Sequence, residues 1–266
     1  MRKTAKLLHV FLLSALCITG AKSATNSKKT FLAPRPVGVN LAMELSTWHD
    51  QILNRDKNKF NSHIQATGFY QAAIKGADVG KYFGVGNGKN DFTVGTGASD
   101  IHNWDLVHNN AYVNHPTALA GTSVFNPKQE AYGLRLDFFQ FMNHPFKNMF
   151  LKASVPFVCV ENDMHFLVDS SVADASGNYV GDFFRGNAIT QAAANKQDAL
   201  THAKVGERKT STGIADIDLA LGYRFVENEN HHLYVAAAIT IPTGKRPHGE
   251  YLFEPIYGNG KHLAWD

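Results

Sequence analysis

Residues 213–241, Gly-Ile-Ala-Asp-Ile-Asp-Leu-Ala-Leu-Gly-Tyr-Arg-Phe-Val-Glu-Asn-Glu-Asn-His-His-Leu-Tyr-Val-Ala-Ala-Ala-Ile-Thr-Ile, decide the fold class. Ile217, Leu219, Leu221, Tyr223 and Phe225 alternate with Asp216, Asp218, Ala220, Gly222 and Arg224. After the polar Glu227-Asn228-Glu229-Asn230, the pattern resumes. Leu233, Val235, Ala237, Ile239 and Ile241 alternate with His232, Tyr234, Ala236, Ala238 and Thr240. Period-two alternation puts unlike side chains on the two faces of a strand, so two such runs across a short polar turn predict a β-hairpin.

Working outward, residues 131–140 and 149–160 repeat the signature. Tyr132, Leu134, Leu136 and Phe138 oppose Gly133, Arg135, Asp137 and Phe139. Met149, Leu151, Ala153, Val155, Phe157 and Cys159 oppose Phe150, Lys152, Ser154, Pro156, Val158 and Val160. Asn143-His144-Pro145 forms the turn between them. A weaker strand spans 63–74, interrupted by Gly68. The intervening segments 75–129, 161–212 and 242–261 are long and rich in Gly, Asn and Asp. Alternating short turns and long loops, with strands of about ten to twelve residues, predict an antiparallel transmembrane β-barrel with long extracellular loops. Leu41, Leu45, Trp48 and Ile52 recur at helical spacing, which predicts a short amphipathic helix ahead of the first strand. The Ala- and Gln-rich stretch 188–204 predicts a second helix.

The N-terminus carries an export signal. Arg2, Lys3 and Lys6 precede the apolar run Leu7–Ile18, and Ala21 and Ser23 suit a cleavage site. The predicted organisation is a signal peptide at 1–23, an extended segment and helix at 24–60, and a β-barrel domain at 61–266 that lacks C-terminal strands. Once Cys17 has left with the signal, Cys159 stands alone, so neither an internal disulfide nor a cysteine-based metal site is expected. Lys plus Arg number 26 against Asp plus Glu 23, a near balance that argues against a nucleic-acid partner.

Arg135, Asp137, Lys152, Asp216, Asp218 and Arg224 fall on the polar faces of the strands and are the candidate pore-lining residues. A constriction that selects solutes and an internal ladder of ion pairs both fit them. The ladder is favoured, because charges withdrawn from water satisfy one another. His102, His108, His115, His231 and His232 lack the spacing of a metal site, so no metal or other cofactor is expected. Gly84-Val85-Gly86-Asn87-Gly88 lacks the closing Gly-Lys-Ser/Thr of a phosphate loop. Gly121-Thr122-Ser123 is not a nucleophile elbow, and no catalytic set stands out, so the chain is not expected to be an enzyme.

Phe31-Leu32-Ala33-Pro34-Arg35-Pro36, Lys81-Tyr82-Phe83-Gly84, Gly213–Ile217 and Leu221–Phe225 together resemble Gram-negative outer-membrane β-barrel proteins of the channel or porin kind. Ile241-Pro242-Thr243-Gly244-Lys245-Arg246-Pro247 is similar to the strand exit of hydrophobic-substrate transporters of the fatty-acid type. The resemblance implies an outer-membrane address, passive passage of a small solute or a structural role there, and membrane lipid with the export and barrel-assembly machinery as partners. A homo-oligomer is compatible with it. It implies no particular binding residue. The ending His262-Leu263-Ala264-Trp265-Asp266 departs from the terminal aromatic strand of such barrels, which suggests an N-terminal part of a larger barrel. The rival expectation is a soluble secreted or periplasmic β-sandwich that binds a ligand, or a surface adhesin.

Overall fold

The computed structural model describes residues 62–83, 88–95, 98–102, 120–142, 147–172, 179–187, 199–227 and 232–265. The signal peptide, the 24–60 segment with its helix, His108, His115 and His231 lie outside these residues. So does 188–198, most of the second helix expected from sequence; Thr201–Ala203 beyond it are bends.

In chain order the elements are β1 (Ser62–Ala72), α1 (Gly76–Gly80), β2 (Asp91–Gly95), β3 (Ile101–His102), β4 (Ala120–Phe125), β5 (Lys128–Met142), β6 (Met149–Asp163), β7 (Phe166–Val172), α2 (Val180–Arg185), β8 (Lys209–Ile214), β9 (Ile217–Glu227), β10 (His232–Ile241) and β11 (Ala264–Trp265). They build two open sheets. The larger runs β1-β5-β6-β9-β10-β11, with β8 also paired to β6, and the smaller runs β3-β2-β4-β7.

The five alternating runs of the sequence are β1, β5, β6, β9 and β10, which form the body of the larger sheet. Strands β8 and β9 act as one interrupted strand along β6. Phe157–Asn162 pair with β8 and Met149–Ser154 pair with β9. At the break the Ala215 N–H donates to the Pro156 carbonyl at 2.9 Å. Pro156 itself brings no N–H to the ladder.

The two sheets meet at a corner. Only Asn126 and Pro127 separate β4 from β5, and only Met164 and His165 separate β6 from β7. The β5–β6 hairpin therefore continues as the β4–β7 pair after a bend, a recognised way for strands to switch sheets. Beyond the corner lies the largest buried core, made of Phe83, Phe92, Val94, Phe125, Met164, Val180, Phe183, Val205 and Phe253. Its rings meet tilted or edge-on at 5.3–6.2 Å, as Phe83–Phe253 and Phe83–Phe125 do. These are the separations at which aromatic quadrupoles attract. Much of what reads in sequence as long, structureless loops is thus a second sheet with its own core.

This architecture corrects the barrel expectation. Barrel closure requires the first and last strands of a sheet to pair. Among the described residues β1 and β11 end the larger sheet and do not pair with each other, and β11 meets β10 over two residue pairs only. The fold class is an open two-sheet arrangement, not a closed transmembrane barrel. The expectations that depended on closure fall with it: a porin-like channel or transporter, transmembrane strands, an outer-membrane location, and membrane lipid and barrel-assembly machinery as partners. The rival secreted or periplasmic β-protein accords better with open sheets. Among the described residues no helix is long and apolar enough to cross a membrane.

The faces of the larger sheet differ sharply. Leu134, Leu136, Phe157, Leu221, Tyr223, Val235 and Ile239 lie on one face and are exposed. On the opposite face Arg135, Asp137, Phe139, Phe141, Phe150 and Arg224 are buried. The polar and aromatic face, not the aliphatic one, is turned inward.

Candidate functional site

Register places the sequence-predicted residues on this inward face. Asp137 pairs with Ser154, Ser154 with Asp218, and Asp218 with Thr240, so one row crosses four strands. In the next row Phe139 pairs with Lys152 and Lys152 with Ala220. Beyond it Phe141 pairs with Phe150 and Phe150 with Gly222, and Arg224 pairs with Tyr234 at the end. Five of the six candidates, Arg135, Asp137, Lys152, Asp218 and Arg224, share the face.

Arg135 and Asp137 form a buried ion pair. Arg135 Nε donates to the Asp137 carboxylate at 2.9 Å, with side-chain exposures of 5% and 1%. They lie two apart on one strand, where period-two geometry brings both to the same side. Asp218 accepts a hydrogen bond from Thr240 Oγ1 at 2.5 Å across the β9–β10 ladder.

Lys152 and Arg224 sit among aromatic rings. Lys152 Nζ lies 5.7 Å from the centroid of Phe150 and 5.5 Å from that of Tyr234. The Arg224 guanidinium carbon lies 4.4 Å from the Phe141 centroid. All three distances are within cation–π range, worth about 0.5–2 kcal/mol each according to desolvation. Phe139, Phe150, Lys152, Arg224 and Tyr234 line a small recess, open to solvent, with room for about one water molecule. Phe139 and Phe150 stack at 5.4 Å, and Phe150 meets Tyr234 edge-on at 5.5 Å.

Small residues make room for these rings. Ala220, Gly222, Ala236 and Ala238 occupy the neighbouring inward positions of β9 and β10. A Cβ at Gly222 would lie 2.1 Å from the Phe150 ring, so glycine is required if that ring is to keep its place.

Asp216 stands apart from the site. Its carboxylate accepts N–H groups from Gly244 at 2.9 Å and from Asn259, tying the 242–260 segment to the β8–β9 break. A second carboxylate anchors the same segment. Glu254, also buried, accepts the backbone N–H of His248 at 2.9 Å and of Gly249 at 3.0 Å.

The sequence-based list of candidates omitted Phe139, Phe141, Phe150 and Tyr234. The signal was present, since each is an aromatic residue at the polar parity of its strand. His102 lies on β3 in the smaller sheet, away from the recess. Among the described residues no group of three His, Cys, Asp or Glu side chains could hold a metal ion. No nucleophile and base come together in the recess, whose polar groups are two cations and a phenol.

No family model, curated protein or solved structure matches the chain. The resemblance to outer-membrane barrels therefore finds no support in these comparisons, and the open sheets contradict it.

Proposed function

We propose that the chain is an exported two-sheet β-protein that holds the carboxylate or phosphate group of a small organic anion at the mouth of this recess, the body of the ligand remaining outside it, and that it acts by binding rather than catalysis. Its place of action is the periplasm or the exterior, which the leader at Met1–Ser23 supports. One observation carries the reading: Lys152 and Arg224 are both set against aromatic rings at the rim and wall of one recess. Ligand sites combine apolar and aromatic walls with a few placed polar groups that orient the ligand. Here the rings flank the mouth, where half-buried Lys152 is placed to meet a carboxylate or phosphate, with Arg224 buried behind it. Arginine and lysine play different parts, the guanidinium offering paired donors and the ammonium a point charge.

The test is calorimetric titration with benzoate, hexanoate, phenyl phosphate and neutral benzamide. The acids should bind and benzamide should bind at least about tenfold more weakly, a difference of roughly 1.4 kcal/mol. Lys152→Met should remove most of that preference while leaving the far-ultraviolet circular dichroism unchanged. Equal binding of benzoate and benzamide, or no binding of any acid at millimolar concentration, would refute the proposal.

A further inference from the structure

One whole face of the larger sheet is apolar and exposed. Leu134, Leu136, Phe157, Leu221, Val235 and Ile239 all stand out from it into solvent. From Tyr132 to Met142 on β5, Met149 to Cys159 on β6, Ile217 to Phe225 on β9 and Leu233 to Ile241 on β10, no outward position carries a charge. Register makes the patch continuous. Phe138 pairs with Ala153, Ala153 with Leu219, and Leu219 with Ile239, an unbroken apolar row across four strands. β1 adds a fifth strand, with Ala66 beside Leu136 and Gly68 beside Leu134.

The size of the patch bears on what covers it. Five strands about 4.8 Å apart, each about ten residues long at about 3.3 Å per residue, span roughly 800 Å². Monomeric proteins seldom expose an apolar patch above about 300–600 Å². Two such faces brought together bury about 1,600 Å², the size of a stable protein–protein interface. Charges stand at the end of the patch toward the corner, where Glu130 pairs across the ladder with Glu161 and Arg208 forms an ion pair with Glu161. An uncharged centre with a polar margin is the layout of an interface.

We infer that two copies of the chain pack through this face, sheet against sheet, about a two-fold axis. Twisted sheets stack about 10 Å apart with their strands rotated by about 30°, and a second copy brings a sheet of the same twist. The face offers no charge to orient a partner of unlike chemistry, whereas an apolar face is complementary to itself. A two-fold contact is isologous and closes on itself, which limits assembly to a dimer. The inference does not depend on what the recess binds.

The test uses the leader-processed chain in plain buffer. Sedimentation should show a dimer at about 10 µM, within the range that interfaces of this size reach. Leu136→Glu and Leu221→Glu should each weaken the dimer at least about hundredfold, since symmetry buries two unpaired carboxylates in one contact. Both should keep the far-ultraviolet circular dichroism of the parent, because these side chains are exposed in the single chain. A second readout needs no disruptive variant. In a Cys159→Ser background, maleimide should label Ala153→Cys more slowly as protein concentration rises. It should label His202→Cys, exposed ahead of β8, at a constant rate. A parent chain still monomeric at about 100 µM would overturn the inference. So would labelling at position 153 that ignores concentration, or a dimer that persists in both glutamate variants. A chain that stays in solution only with detergent or phospholipid vesicles would also overturn it, because the face would then be covered by lipid.

Discussion

The Arg135–Asp137 pair offers the sharpest test of how the larger sheet is held together. Both groups lie under the sheet with side-chain exposures of 5% and 1%, and Arg135 Nε sits 2.9 Å from the carboxylate. Burial at that depth removes most of the hydration that each charge enjoys in the unfolded chain. Replacing Asp137 with Ala leaves a buried guanidinium without its counter-charge, a change that typically costs about 3–5 kcal/mol. Replacing both residues with apolar ones of similar volume, Arg135→Met with Asp137→Leu, removes the uncompensated charge. It should return stability to within about 1 kcal/mol of the parent, or raise it by roughly 1–4 kcal/mol. Equilibrium urea unfolding followed by circular dichroism measures both. With a slope near 2 kcal/mol per molar urea, the single variant should lose about 1.5–2.5 M in midpoint. The ordering is the decisive feature, since the double variant must be more stable than the single one. A single variant that costs less than about 1 kcal/mol would refute the reasoning, because an exposed pair is worth no more than that.

Phe125 is 3% exposed and joins the aromatic core of the smaller sheet, so Phe125→Ala should cost about 3–5 kcal/mol in the same urea experiment. Asp216→Ala should release the 242–260 segment, read as faster limited proteolysis there. Gly258→Ala should do likewise, since Gly258 has φ +79° and its Cβ would press within 2.6 Å of the Asp216 carboxylate. Lys81 Nζ donates to Asp78 Oδ1 at 2.8 Å, and that hydrogen bond and charge hold the Asp78 carboxyl below its usual range. A depressed folded-state value stabilises above the unfolded value and is lost as pH falls through the folded one. An NMR titration should therefore show the Asp78 midpoint rising in Lys81→Gln. N-terminal sequencing of the exported chain should begin at Ala24.

The strands of the larger sheet were legible in the sequence because alternation is local. Residues 131–140 and 149–160 predict strands, and β5 and β6 span Lys128–Met142 and Met149–Asp163 around them. The charged members of the candidate site were legible for the same reason, since parity alone puts Arg135, Asp137, Lys152, Asp218 and Arg224 on one face. Asp216 was misassigned because the break at Ala215–Asp216 interrupts that parity, and no local signal marks it. Strands β2, β4 and β7 were missed inside the long loops. They are only five to seven residues long, too short for periodicity to stand out. The aromatic half of the recess was overlooked because Phe139, Phe150 and Tyr234 look like errors in a polar face until the tertiary structure brings them together with two cations.

By itself, then, the sequence determined which strands have two unlike faces. The sequence already turned the charged face inward, as the lining of a pore; only the tertiary structure showed that this face is packed with aromatic rings. Only it decided that, among the described residues, β1 and β11 do not pair to close the sheet. The physical reason is that alternation constrains each strand within itself. Strand order and closure are set by backbone pairing between segments far apart in the chain, which residue periodicity does not encode.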